Sequence, residues 1–258
     1  MFSSNFPASV ANRAVALTIA ADKPSTYGVA GYDIFAQASS PTDSVDVTVT
    51  INAGVKISQL RALGFAAGSR IFLVNNGFIY GAGGVGGTGG SIFNTGSYGA
   101  GAAGTSGTDA LQSNCRLIIT NISGQINGGG GGGIGGRCGS SAADGSANGC
   151  GGGGGGGGRG YPGGGGGGGG FGYTVSGGVG TAGTDVIVGT GVSGGVSGSY
   201  QGAWGGDGGT WATSGDAEKA PAVTFGPAGS NGANSGTVFT VVLTRKASSN
   251  GWSAPSQS

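Results

Sequence analysis

The sequence predicts an all-β N-terminal part of short, solenoid-like coils, joined to a bundle of polyglycine-II helices and closed by a C-terminal strand, with essentially no α-helix. Three observations predict it. Glycine is unevenly spread, with 6 in residues 1–80, 61 in residues 81–236 and 1 in residues 237–258. The glycine-poor ends alternate apolar and polar residues, the mark of half-buried strands. No segment sustains a 3.6-residue period; Ser58 to Ala67 comes nearest, with one short turn at most.

Taken in order, Val15, Leu17 and Ile19 alternate with alanine and threonine, and Val45 to Ile51 alternates over its whole length. A weak repeat follows. Arg70-Ile71-Phe72-Leu73-Val74-Asn75-Asn76-Gly77-Phe78-Ile79-Tyr80 parallels Arg116-Leu117-Ile118-Ile119-Thr120-Asn121-Ile122-Ser123-Gly124-Gln125-Ile126-Asn127, with one extra residue in the second copy. Thr50 to Ile57 reads as an earlier copy, aligning Asn52 with Asn75. Each copy is a strand, an Asn/Gly turn suited to positive φ, and a short β segment. Two copies run directly into glycine, so the coils hand the chain to the glycine body. Thr237 to Thr244 is the strongest strand pattern and is expected to return and pair with the N-terminal β part. Phe72, Phe78 and Phe239 are expected in the β core. The division is residues 1–80 as a β-rich attachment base, 81–236 as the glycine-rich body with variable loops, and 237–258 as closing strand and tail.

The long runs Gly128–Gly133, Gly151–Gly158 and Gly163–Gly170 admit one packed arrangement. Glycine loses the most backbone freedom on ordering, so a helix or an ordinary sheet of it is weak. Chain in the polyproline-II conformation has three residues per turn and points its N–H and C=O groups outward. Without Cβ atoms such helices approach closely and bond to one another. Eight glycines span about 25 Å at 3.1 Å per residue. Side chains are then confined to the inserts between runs, and loops on a rigid scaffold carry function. The inserts hold Phe93, Tyr98, Arg159, Tyr161, Phe171, Tyr173, Tyr200, Trp204 and Trp211. Tyrosine, tryptophan and arginine are favoured anchors of binding surfaces. These nine are the candidate binding residues, with Tyr161, Tyr200, Trp204 and Trp211 foremost. For Arg159, capping glycine-segment carbonyls and lying at a loop tip both stay open.

Composition excludes much else. Histidine is absent, Glu218 is the one glutamate, and no carboxylate pair suggests itself, so an enzyme is not expected. The net charge is +1 with 11 Lys+Arg spread along the chain, which argues against nucleic acid. The many GxGxxG matches are by-products of glycine runs, and no Gly-Lys-Ser/Thr occurs. No cofactor is expected, and no metal: Asp144, Asp207 and Asp216 lack a calcium-loop string and read as turn formers. Cys138 and Cys150 lie twelve apart in flexible chain, so a bridge and free thiols both stay open; Cys115 makes the count odd. No apolar run reaches the length that crosses a membrane.

The strand–Asn/Gly–Ile–glycine units and the split glycine blocks resemble the receptor-binding tail-fibre tip adhesins of T-even-type bacteriophages. The resemblance covers about residues 70–245, and Asn121 to Asn127 leading into glycine, then Arg159-Gly160-Tyr161-Pro162, carry it most specifically. It implies a sandwich of polyglycine-II helices whose loops at the distal end choose a bacterial surface receptor. It implies a place at the distal tip of the tail or tail fibre. The implied partners are a bacterial outer-membrane protein or surface polysaccharide, and other tail or fibre subunits through residues 1–80. A homotrimer and a monomer capping a trimeric fibre both fit. The alternative is a structural or ice-binding glycine-rich protein. Its regular Gly-x-x repeat and flat face of small residues are not what these uneven, aromatic inserts offer.

Overall fold

The computed structural model describes residues 11–25, 31–94, 97–98, 100–121, 123–137, 151–172, 175–197, 200–211, 213–216 and 242–243. Its strands wind as a three-sided parallel solenoid. The first coil runs from β1 (Arg13–Ile19) through a parallel bridge at Lys23 to β2 (Tyr32–Asp33) and α1 (Ile34–Gln37). The second is β3 (Val45–Ile51), β4 (Lys56–Ser58) and β5 (Leu60–Ala62). The third begins with β6 (Arg70–Asn75) and β7 (Phe78–Tyr80). It then leaves for a glycine excursion that contains the hairpin β8 (Ile92–Asn94) and β9 (Ser97–Tyr98), and returns at β10 (Leu111–Ser113). The fourth coil is β11 (Arg116–Asn121) and β12 (Gln125–Asn127). A second excursion holds the hairpin β13 (Val196–Ser197) and β14 (Tyr200–Gln201) and ends at β15 (Val242–Leu243). The three sides are the sheets β1-β3-β6-β11-β15, β10-β5-β2 and β12-β7-β4. Residues 111–127 therefore belong to the solenoid, although they lie inside the glycine-rich stretch.

The register follows from the alternation. Val45, Val47, Val49 and Ile51 are all buried. Val47 and Val49 each stack in a column with the inward residues of the neighbouring coils: Val15, Val47, Ile71 and Leu117 in one, Leu17, Val49, Leu73 and Ile119 in the next. Arg70 lies opposite Arg116 and Asn75 opposite Asn121, as the repeat predicts. The extra residue of the second copy falls in the turn before β12, since Phe78 pairs with Gln125. The earlier copy is one residue out of the expected alignment, because Ile51, not Asn52, lies opposite Asn75. Burial decides it: Ile51 completes the inward column while exposed Asn52 closes the turn, its carbonyl accepting from Val55 N at 3.3 Å. Asn75 is buried and fully engaged. Its Nδ2 donates to Asn121 Oδ1 at 3.0 Å and its Oδ1 accepts from Gly77 N at 3.2 Å.

Three further expectations meet the structure. Residues 56–62 form β4 and β5 rather than a helical turn, because Ile57, Leu60 and Ala62 all point inward. The helix among the described residues is α1, a single turn capped by Asp33, whose Oδ1 accepts from Phe35 N and Ala36 N. Phe72 and Phe78 are half-buried on the outside of the solenoid, since strand alternation gives the core to Ile71, Leu73 and Ile79. Phe239 lies outside the described residues. Of the expected closing strand, Val242 and Leu243 join the solenoid's five-stranded sheet, but beside Ile118 and Ile119 of β11 and not beside a strand of residues 1–80, because β11 is the outermost coil.

The glycine-rich segments run side by side, and their hydrogen bonds repeat every third residue. Gly84, Gly87 and Gly90 donate to Gly130, Gly133 and Gly136, while Gly83, Gly86 and Gly89 donate to Pro162, Gly165 and Gly168. That is the period of a three-residue-per-turn helix. The segment 151–159 lies at the centre. Each of its nine N–H groups donates and each of its nine carbonyls accepts, and the partners come from six other segments. Gly151 to Gly158 are all buried. A chain surrounded on six sides has no direction left for a side chain, which is why this run is pure glycine.

Candidate binding surface

Hydrogen bonding fixes which end of the bundle each insert occupies. Segments 81–90 and 128–136 start at the solenoid and run away from it. Segments 102–108, 151–159, 177–184 and 202–209 run back, and 163–170 and 189–195 run out again. The inserts therefore alternate between the two ends. Among the described residues, 91–94, 97–98, 100–101, 137, 151, 171–172, 175–176, 196–197 and 200–202 lie at the far end. Those at 159–162, 185–188 and 210–211 lie at the base, against the solenoid.

This division separates the nine candidate residues. Phe93 and Tyr98 lie in the β8–β9 hairpin and Tyr200 in β14, all at the far end. Phe171 is there too, 60% exposed, and its backbone N–H donates to Ser91 Oγ at 2.9 Å, tying two loops together. Trp204, 41% exposed, opens the returning segment at the same end. Tyr173 lies outside the described residues, as do Cys138, Asp144 and Cys150. Two exposed residues at this end went unnamed in the sequence reading, Val175 and Val196. Their signal was available: an apolar residue in an insert has no core to enter.

Arg159, Tyr161 and Trp211 are instead at the base. Trp211 stacks on Tyr80 of β7 with ring centroids 4.5 Å apart, and Tyr80 stacks on Phe78 at 5.7 Å. The Arg159 guanidinium lies 4.8 Å from the Trp211 ring centre, and its Nε donates to the Asp185 carbonyl at 3.1 Å. Asp185 also pairs with Lys56 of β4. The carbonyl that Arg159 contacts belongs to the 185–188 insert and not to a glycine segment. Tyr161 N donates to Gly81 O where the chain leaves the solenoid. The three residues thus form part of a joint between solenoid and bundle. Trp211→Ala is expected to cost about 2 kcal/mol, the stacking and cation–π contacts plus part of the ring's burial, read as a lower denaturant midpoint.

The joint carries a pH dependence. Burial, then the Asp185 charge, holds the Tyr80 phenol above its usual value near 10. The folded state therefore holds this proton more tightly than the unfolded chain. Its stabilising contribution is complete below about pH 10 and is lost as pH rises through the folded value. Tyr80→Phe should flatten that alkaline fall, as followed by melting temperature against pH.

Chemically, the far end offers exposed aromatic and aliphatic surface. Among the described residues, no group of three or more His, Cys, Asp or Glu could hold a metal. Asp207 accepts from Gly191 N at 2.9 Å, a backbone-ordering role, and the Asp216 N–H donates to the Asp207 carbonyl at 2.7 Å. Cys115 is half-buried, and burial raises its thiol above the usual range.

No curated protein matches the chain. In the crystal structure of the gp37–gp38 adhesin tip complex of the bacteriophage S16 long tail fiber, one chain is similar at 22% identity and a TM-score of 0.40, over 80% of this chain and 70% of that one. The family model for the phage tail fibre adhesin Gp38 matches residues 14–254, from the first strand of the solenoid to beyond the closing strand. The chain belongs to the phage tail fibre adhesin Gp38 family.

Proposed function

We propose that the end of the glycine bundle remote from the solenoid is a receptor-binding surface, placed at the distal tip of a phage tail fibre. It engages a bacterial outer-membrane protein or surface polysaccharide by contact alone, without chemistry. The observation that carries this reading is that four of the seven exposed large apolar residues among those described, Phe171, Val175, Val196 and Trp204, including both aromatics, lie at the far end, while Val186 and Ile187 are exposed at the base and Val179 between. Scattered exposed apolar residues are ordinary, but a cluster on an otherwise glycine surface marks an interaction site. Residues 1–80 would face the remaining fibre subunits, either within a homotrimer or as a monomer capping a trimer. Several adhesins per virion let a modest single-site affinity hold a cell.

The test is binding of purified protein to intact Gram-negative cells from a host-relevant panel. A variant with Phe171, Tyr200 and Trp204 replaced by serine is compared with wild type and with Trp211→Ser. Loss of two or more hot-spot contacts should weaken binding more than about thirtyfold. Trp211→Ser, at the base, should bind cells as wild type while folded. Undiminished binding by the folded triple variant would overturn the placement of the surface.

A further inference from the structure

A cleft of about 490 Å³ opens where the solenoid meets segments 82–85, 105–108 and 162–165. It is at the base of the bundle, away from the surface proposed above, and its lining is unlike the rest of the glycine scaffold. Arg61 of β5 faces it, with Nε buried and without a hydrogen-bond partner. That Nε is closed off from the cleft, so contact with a ligand falls to the terminal guanidinium nitrogens, which take an anion through charge-assisted bonds. Thr105 and Thr108 line the opposite wall. Their Oγ1 atoms accept from Val85 N and Ala82 N at 2.7 Å, so each hydroxyl keeps its own proton to donate. Gln112 spends an amide proton on Asp109 at 3.3 Å, which leaves its carbonyl oxygen to accept.

Two more features fit a ligand. Gln59, also in the lining, has φ of 54°, in the left-handed region that glycine prefers. Gln59 turns the corner from β4 to β5 there, which brings its side chain to the cleft wall. Pro162 and Val85 add a small apolar wall. One charged donor, two hydroxyl donors, one amide acceptor and an apolar wall match a sugar ring, which presents hydroxyls at its rim and C–H groups on its faces.

We propose that this cleft binds a saccharide unit bearing one acidic group, with the acid on Arg61 and the ring hydroxyls on Thr105, Thr108 and Gln112. The site is independent of the far-end surface, so either can fail without the other.

The experiment titrates the full-length protein with glucuronic acid, glucose 6-phosphate and glucose at millimolar concentration, read by saturation-transfer NMR and calorimetry. Wild type should bind an acidic sugar saturably and glucose at least about tenfold more weakly, the loss of one charge-assisted contact. The two acidic sugars separate carboxylate from phosphate recognition. Arg61→Gln should remove the preference for acid. Ser106→Trp, at an exposed position in the lining, should block all binding, and it decides the matter if Arg61→Gln fails to fold. The variant with Phe171 and Trp204 replaced by serine should bind these sugars as wild type does. Failure of wild type to bind either acidic sugar, equal binding of glucose, or unchanged binding by folded Ser106→Trp would each overturn the proposal.

Discussion

Gly155→Ala is expected to prevent the glycine bundle from folding, while Gly165→Ala, one methyl group added to the next glycine block, is expected to leave stability almost unchanged. A Cβ on Gly155 would lie 2.3 Å from the Gly133 carbonyl oxygen and 2.7 Å from the Ile134 carbonyl oxygen. Both are backbone atoms held by their own hydrogen bonds, so neither can step aside. Relief would require the central segment to separate from a neighbour and give up several bonds, each contributing roughly 0.5–1.5 kcal/mol. The total exceeds about 4 kcal/mol, beyond the range of ordinary substitutions. A Cβ on Gly165 meets nothing nearer than Val85 Cγ1 at 4.0 Å, and one on Gly168 nothing nearer than Thr88 Cγ2 at 3.8 Å. These two positions are three apart and face outward. Replacing glycine there also restricts the unfolded chain, which favours folding by a few tenths of a kcal/mol. Circular dichroism and denaturant melts of the two single variants make the comparison. A folded, wild-type-like Gly155→Ala would show that the central segment is not enclosed.

The second large effect is expected in the solenoid. Leu73 is buried between Val49 and Ile119 in one inward column, so Leu73→Ala should cost about 2–5 kcal/mol. The coils above and below are fixed by their own registers and cannot close the cavity. Phe72→Ala, on the adjacent residue, removes a larger side chain from the outer face, where its ring sits 5.6 Å from the Arg70 guanidinium. It should cost about 1 kcal/mol. If the larger ring proved the more costly loss, the inward and outward faces of β6 would have to be exchanged.

Those two pairs also show what the sequence could and could not disclose. Alternation in Val45 to Ile51 is enough to name β3 to the residue, because one face must be buried for the strand to exist. The Asn75 and Asn121 correspondence is legible for the same reason, since each copy must present its asparagine to the same turn. Asn52 misled because the same residue type also closes a turn one place further on, and only the packing of Ile51 settles the register. The ends of the bundle were not legible from composition. A run of glycine has no direction written in it, and the sorting of Arg159, Tyr161 and Trp211 to the base emerges from counting traverses between coils. With eight traverses assigned, the inserts alternate, and the partition into Trp204 and Phe171 at one end and Trp211 at the other follows from parity.

The crossbridges between glycine segments run sideways, while the chain enters the bundle from β12 and returns to the solenoid at β15. A pull on the far end, of the kind a tethered cell would exert, is thus directed along the segments and across their bonds. Sliding segment 151–159 against its neighbours strains all of its eighteen bonds together instead of peeling them in succession. Tension would be shared in shear, with no seam at which unzipping could start, and that makes a structure with almost no side chains in its interior suited to stand under mechanical strain.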